Sequence, residues 1–189
     1  MATITHLSTE QLHAGLDEVR RSPKQEGVLT LIVRRPAIDA REVLQEGQLD
    51  LVEGLVGDTW NRRGSSRSLD GLAHPEMQLN VMNTRAAALV AQHPDRWALA
   101  GDQLYVDLDL SDENLPAGTR LAMGTAVIEV TAVPHTGCGK FVDRFGLDAM
   151  KFVNAPVGRA LNLRGINARV VQPGTIRVGD VVRVRRPEL

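Results

Sequence analysis

Ala126-Val127-Ile128-Glu129-Val130-Thr131-Ala132-Val133, running directly into Pro134-His135-Thr136-Gly137-Cys138-Gly139-Lys140-Phe141, is the stretch from which the rest of the chain is read. The first run is dominated by β-branched and small apolar side chains and predicts a strand. The second is a loop that carries the only cysteine of the chain. A lone cysteine often serves as a small buried hydrophobe. With Gly137, Gly139, Lys140 and His135 around it, Cys138 reads instead as a loop thiol. Glycines lack a Cβ and let backbone approach a ligand closely. The thiolate is the form that attacks electrophiles and binds metals, and neighbouring cations favour it; Lys140 is the cation at hand. The chain leaves through Val142-Asp143-Arg144-Phe145-Gly146, of which Arg144-Phe145-Gly146 is read as an anchor for the loop through packing and an ion pair, toward a helix predicted to start near Leu147.

Composition bounds the rest. The chain has 189 residues, 43% hydrophobic and 24% charged, with a net charge of −1. This is the profile of a globular protein with one main domain. Near-neutral charge and 3% aromatic residues argue against a nucleic-acid partner. No apolar run approaches the ~18 residues of a membrane span, and the first residues lack a basic, then apolar, leader pattern. No membrane association is therefore expected, and the cytoplasm is the expected location. A single cysteine excludes an intramolecular disulfide and a cysteine-cluster zinc or iron–sulfur site within the chain.

Working outward, Ser8-Thr9-Glu10-Gln11 matches a capping box, and Leu12, Leu16 and Val19 follow at helical spacing up to Ser22-Pro23. Residues 1–26 are read as a helical appendage and 27–189 as the main domain. His13 is read as a solvated residue of that helix. Residues 28–35 predict a strand, 40–51 a turn or short helix, and 53–60 a glycine-based turn or bulge. Residues 78–82 predict a strand, with Asn83-Thr84 capping an Ala-rich helix that stops at His93-Pro94. In 104–110, Leu104, Val106, Leu108 and Leu110 alternate with Tyr105, Asp107 and Asp109, predicting a half-buried strand with the tyrosine and aspartates on its wet face. The two aspartates also fit a divalent-metal pair, but no third carboxylate stands at ligand spacing. Val182 and Val184 alternate with Arg183 and Arg185 in a last strand. Short strands at regular spacing with Gly/Pro turns give the expected fold: mainly β with some α, a barrel-like core with a few peripheral helices.

Asn61-Arg62-Arg63-Gly64-Ser65-Ser66-Arg67-Ser68 is the most basic and polar stretch. Arginine forks, serine hydroxyls and backbone N–H groups together suit a phosphate. A solvated loop is the other reading, because no P-loop spacing is present.

In their order along the chain, four segments resemble a MOSC domain, the module named after the C-terminal domain of molybdenum-cofactor sulfurases. They are 29–35 leading to Glu53-Gly54-Leu55-Val56-Gly57-Asp58; 101–110; the strand 126–133 with Cys138-Gly139-Lys140 and Arg144-Phe145-Gly146; and Arg164-Gly165-Ile166-Asn167-Ala168-Arg169-Val170 through Gly174 and Gly179-Asp180. The resemblance implies a MOSC-type barrel with a cysteine at a site for the molybdenum cofactor (molybdopterin) or for sulfur transfer. It makes Cys138 the catalytic residue and metal ligand or persulfide carrier. Arg62, Arg63 and Arg67 are then expected to hold the pterin phosphate, and His135 and Lys140 to contact or tune the site. Gln103 stands where some relatives carry an Asn linked to cofactor contact. A sulfur donor protein is an expected partner. A second reading within the same resemblance is a molybdenum-dependent reductase of N-hydroxylated or N-oxide compounds, which needs an outside electron-transfer partner. A third, of another class, is a cysteine-based redox or small-molecule-binding protein without molybdenum. Pyridoxal phosphate, which serves the desulfurase part of full sulfurases, is not expected: the chain has three lysines, Lys24, Lys140 and Lys151, and shows no site for it.

Overall fold

The computed structural model describes residues 5–65, 68 and 70–186. In chain order the elements are α1 (Thr9–Ala14), α2 (Leu16–Arg20), β1 (Glu26–Arg34), β2 (Glu42–Leu44), β3 (Glu46–Asp50), β4 (Gly54–Leu55), β5 (Leu79–Asn83) and α3 (Thr84–Ala91). They continue with β6 (Leu104–Asp107), β7 (Arg120–Met123), β8 (Ala126–Pro134), α4 (Gly139–Phe145), α5 (Leu147–Asn154), α6 (Pro156–Ala160), β9 (Ile166–Gln172), β10 (Gly174–Arg177) and β11 (Val181–Arg185).

Among the described residues, seven strands close into a mixed barrel in the order β11-β7-β8-β9-β5-β6-β1, with β11 pairing back onto β1. The β5–β6 pair is parallel and its neighbours are antiparallel. β1 serves two partners along one edge: Glu26–Val28 pair with β11 and Ile32–Arg34 with β2. A small sheet, β10-β3-β4, caps the barrel and sends Leu49, Leu55 and Ile176 into its core.

The period of two along each strand builds two cores. Ile32, Val81, Leu104 and Val106 point into the barrel. Their neighbours Val33, Met82 and Tyr105 point outward and are covered by Leu12, Leu16, Val19, Val90, Phe145 and Phe152 of the helices. This corrects the expectation for Tyr105. It is fully buried, with its hydroxyl donating to the Trp97 carbonyl at 2.7 Å, because the helical layer covers what alternation alone marks as a wet face. Asp107 is held by Arg85 at 2.7 Å.

Two further expectations are corrected. Residues 40–51 contain strands β2 and β3, since their alternating side chains find partners in β1 and β10. The N-terminal segment does carry the Ser8–Gln11 capping box, but it divides at Gly15, where a Cβ would lie 2.3 Å from Leu89 Cδ1. His13 is exposed and meets Phe152 edge-on at 5.1 Å.

Across the sheet face of β7-β8-β9, Arg120, Glu129 and Arg169 form one row in register. The hydrogen bond from Arg169 at 2.7 Å, followed by that from Arg120 at 3.1 Å, lowers the Glu129 carboxyl below its usual value. A carboxyl lowered by folding stabilises fully above its unfolded value and loses that contribution as pH falls through the folded one. Thermal scans are therefore expected to separate wild type from Glu129→Gln above about pH 4.3, the ordinary Glu value, and to converge as the medium becomes more acidic. A gap that does not change with pH would show that the row contributes through packing alone.

Candidate functional site

β8 delivers the chain to the cysteine loop, and α4 receives it. Cys138 is extended (φ −125°, ψ −177°) and precedes the first turn of α4, its carbonyl accepting from the Phe141 and Val142 N–H groups at 2.9 and 3.2 Å. The thiol is exposed. Asn154, at the end of α5, clamps the residue before it: Oδ1 accepts from the Gly137 N–H at 2.9 Å and Nδ2 donates to the Gly137 carbonyl at 3.0 Å. A Cβ on Gly137 would lie 3.1 Å from Val153 Cγ2, whereas one on Gly139 would meet nothing within 4 Å. The thiol thus has a fixed backbone behind it and open space beside it. The sequence shows no helix over 139–145; the structure has one because Phe141 and Phe145 reach the outer core together, four residues apart on one helical face. Replacing Asn154 with Ala removes both clamping bonds, and urea unfolding is expected to show a loss of about 1–3 kcal/mol. A loss near zero would mean the loop holds its shape without the clamp.

Behind the loop lies a buried polar group. Asp102 is fully buried; Arg164 Nη1 donates to its Oδ2 at 2.6 Å, and His135 Nδ1 stands 3.4 Å from its Oδ1. Arg164 also donates to the Ala100 carbonyl at 2.8 Å and lies over the Phe141 ring at 5.1 Å. Burial raises the Asp102 carboxyl above the ordinary range, opposed by Arg164 and then Arg35. Gly165 is required beside this group. It has φ +110°, and a Cβ there would lie 2.4 Å from the Val81 carbonyl oxygen and 3.2 Å from His135 Nδ1.

A second buried pair, Arg35 with Asp58, carries a basic pocket. Arg35 Nε and Nη2 donate to the two Asp58 oxygens at 2.8 and 2.9 Å, and Nη1 reaches Asn80 Oδ1 and the Gly101 carbonyl. Arg35, Arg63, Trp60, His74 and Asn80 line a cavity of about 240 Å³. Arg63 lies 3.9 Å from Asp58 Oδ1. Its guanidinium is pulled down by burial and then by Arg35, while that of Arg41 is pulled down by burial, Arg144 and Arg35. Burial is the larger cause in both and the neighbouring guanidinium groups the smaller, and an anion placed among these cations would offset their repulsion. The crowding centres on Gly101, at φ +92°: a Cβ there would stand 3.5 Å from Arg41 Nη2 and 3.7 Å from Arg144 Nη1.

The sequence-predicted residues distribute as follows. Cys138 and His135 share the thiol loop. Lys140 and Arg144 converge on Asp39 at 3.3 and 3.2 Å, which ties α4 to the loop carrying Arg41. Arg63 lines the basic pocket; Arg62, beside it, is exposed at the end of the turn Trp60–Arg62. Arg67 lies outside the described residues. Gln103 is fully buried, its Oε1 accepting from the Asn80 N–H at 2.8 Å and its Nε2 donating to the Gln78 carbonyl at 3.2 Å. It fixes the strand that presents Asn80 to the pocket. No local pattern in the sequence points to a role for Arg35, Arg41, Asp58, Asp102 or Arg164.

A closed mixed barrel wrapped by short helices, with an exposed cysteine where a barrel strand passes into a helix, is one architecture with one chemical focus. The MOSC domain family model matches residues 72–183, more than half of the chain, and the chain belongs to that family of molybdenum-cofactor-related domains. Solved structures with the same fold include the YUAD protein from Bacillus subtilis, with a TM-score of 0.63 and 18% identity over 86% of this chain and 97% of that one. YiiM from Escherichia coli gives a TM-score of 0.55 and 19% identity, covering 85% and 71% of the two chains. YiiM from Geobacillus stearothermophilus gives 0.52 and 12%, covering 86% and 74%. No curated protein matches the chain in sequence. Among the described residues, no helix is long and apolar enough to cross a membrane.

Proposed function

We propose that this protein binds the molybdenum cofactor, or carries sulfur for it, through Cys138. The observation that carries the reading is an exposed thiol with open space at Gly139, on a loop whose backbone Asn154 holds from both sides. A thiolate is a soft donor suited to a transition metal. Among the described residues, no three His, Cys, Asp or Glu side chains converge to cage a bare ion. That donor set fits a metal arriving with organic ligands and taking one thiolate from the protein. Arg35, Arg41 and Arg63 fit the phosphate of such a group, with Arg62 and Arg67 on the same stretch as Arg63. When bound, the cofactor supplies redox chemistry at molybdenum. His135 and Lys140 flank Cys138 in sequence, the His135 ring facing Asp102 and the Lys140 ammonium paired with Asp39, and Gln103 supports the pocket from behind through Asn80.

In the sulfur-carrying form of the reading, the Cys138 thiolate attacks the outer sulfur of a donor protein's persulfide. A sulfur–sulfur bond forms on Cys138, the donor's own sulfur–sulfur bond breaks, and the donor leaves as a thiolate with no net oxidation. Both forms are tested on protein expressed in a host that makes the cofactor, by elemental analysis for molybdenum together with intact mass. Stoichiometric molybdenum supports cofactor binding, and the added mass of one sulfur supports carriage. Protein that shows neither, in that host, overturns the reading.

A further inference from the structure

β8 and β9 lose register between Val130↔Ala168 and Pro134↔Ile166, β8 advancing four residues while β9 advances two. A bulge of this kind bends one strand away from its partner and re-aims its side chains, and such bulges are frequent beside active sites. A regular strand shows alternate residues to each side; here every residue from Val130 to Thr136 lines one cleft of about 380 Å³. The gap in the ladder is bridged by buried Asn167, which donates to the Val133 carbonyl at 2.9 Å and accepts from Asn80 Nδ2 at 2.7 Å. The facing wall comes from Leu115 and Ala117 and from Val153, Gly158 and Ile166. The cleft runs up to His135 and Thr136, two residues before the thiol, and it shares no lining residue with the arginine pocket.

We infer that this cleft is a second binding site, for a small, flat, uncharged molecule with an apolar body and one hydrogen-bonding edge. Its volume stands at the lower end of the ~300–1,000 Å³ of small-molecule sites. Its walls are mainly aliphatic. Inside the slot the one charged side chain, Arg164, is paired with Asp102 at 2.6 Å. At the exposed mouth Asp112 and Arg159 carry opposite charges, Asp112 accepting from Asn162 Nδ2 at 2.8 Å and Arg159 Nε donating to the Asn154 carbonyl at 3.1 Å. A charged guest would enter an apolar slot without a counter-charge of its own, which is costly. A neutral guest loses no such solvation, and its polar edge meets the His135–Thr136 end of the slot. The site needs no molybdenum, so it stands or falls separately from the reading above.

Benzamide is the probe, with benzoate as its charged counterpart, followed by methyl and histidine-ring NMR on the full chain without cofactor. Benzamide is expected to shift the Val130, Val153 and Ile166 methyls and the His135 ring saturably, with a Kd on the order of 1 mM, about −4 kcal/mol. Benzoate is expected to bind at least tenfold more weakly. Ala132→Trp, at an exposed position on the cleft wall, is expected to abolish the shifts. Ala117→Trp, on the facing wall and also exposed, does the same should the first variant fold poorly. Arg63→Ala, in the other pocket, leaves them unchanged. Shifts that survive both tryptophans, that centre on Trp60 and Met77, or that favour benzoate overturn the inference, as does the absence of saturable shifts.

Discussion

Cys138→Ser is expected to abolish molybdenum or sulfur loading completely while leaving the fold intact. The thiol is exposed and takes no part in either core, so unfolding in urea should move by no more than about 0.5 kcal/mol, the range of ordinary surface substitutions. A serine hydroxyl keeps the shape but is neither a soft metal donor nor able to hold a sulfane sulfur under these conditions. Elemental analysis and intact mass, made on wild type and variant side by side, read the result. A variant that loads like wild type defeats the assignment of Cys138. A variant that unfolds instead would show that the cysteine holds the loop rather than serving it.

Arg35→Leu should produce the largest loss of stability in the molecule outside the apolar cores, about 3–5 kcal/mol, the usual effect of stranding one member of a buried ion pair. Both side chains are buried, 6% exposed for Arg35 and 0% for Asp58, and the arginine makes four side-chain hydrogen bonds to carboxylate, amide and carbonyl oxygens. Asp58 also receives the Arg35 and Trp60 N–H groups, so its loss releases the turn that leads to Arg63. The double variant Arg35→Leu/Asp58→Leu should lie well above either single variant, because no charge is left buried alone. Single variants that lose under about 1 kcal/mol would mean that water reaches the pair, and a double variant as weak as the sum of its parts would mean the two residues act independently.

The strand-rich class, the β8 strand, the Asn83 cap and the cysteine loop were legible because each is written locally: in alternation, in a capping residue, in glycines around a thiol. Tyr105 was misplaced because alternation reports two faces and not whether helices cover the second one. Residues 46–50 escape a local reading because their strand pairing depends on β10, more than a hundred residues away, while 42–44 form a three-residue strand too short to show a period. The basic loop was recognised as a phosphate candidate, yet its partner Arg35 sits at the end of a strand and looks like any boundary arginine. Arg164 and Asp102 are 62 residues apart and carry no local pattern. Only Gly165 beside Arg164 hints that backbone and side chain there are crowded, and a glycine alone does not say by what.

The seam where β11 meets β1 decides when this molecule becomes a molecule. Glu26 pairs with Arg183 and Val28 with Val181, so the ring is joined by residues more than 150 positions apart. During synthesis β1 and β6 can associate early, but one edge of the nascent sheet stays open, with unpaired N–H and carbonyl groups, until the last strand emerges. Contacts of such sequence separation make folding slow, because the loop must be closed before it is stabilised. The basic pocket depends on the end of β1 and the thiol loop on the end of β8, so neither is set in its final frame before that closure. Loading of a guest that needs both the basic pocket and the thiol loop is thereby ordered after completion of the barrel.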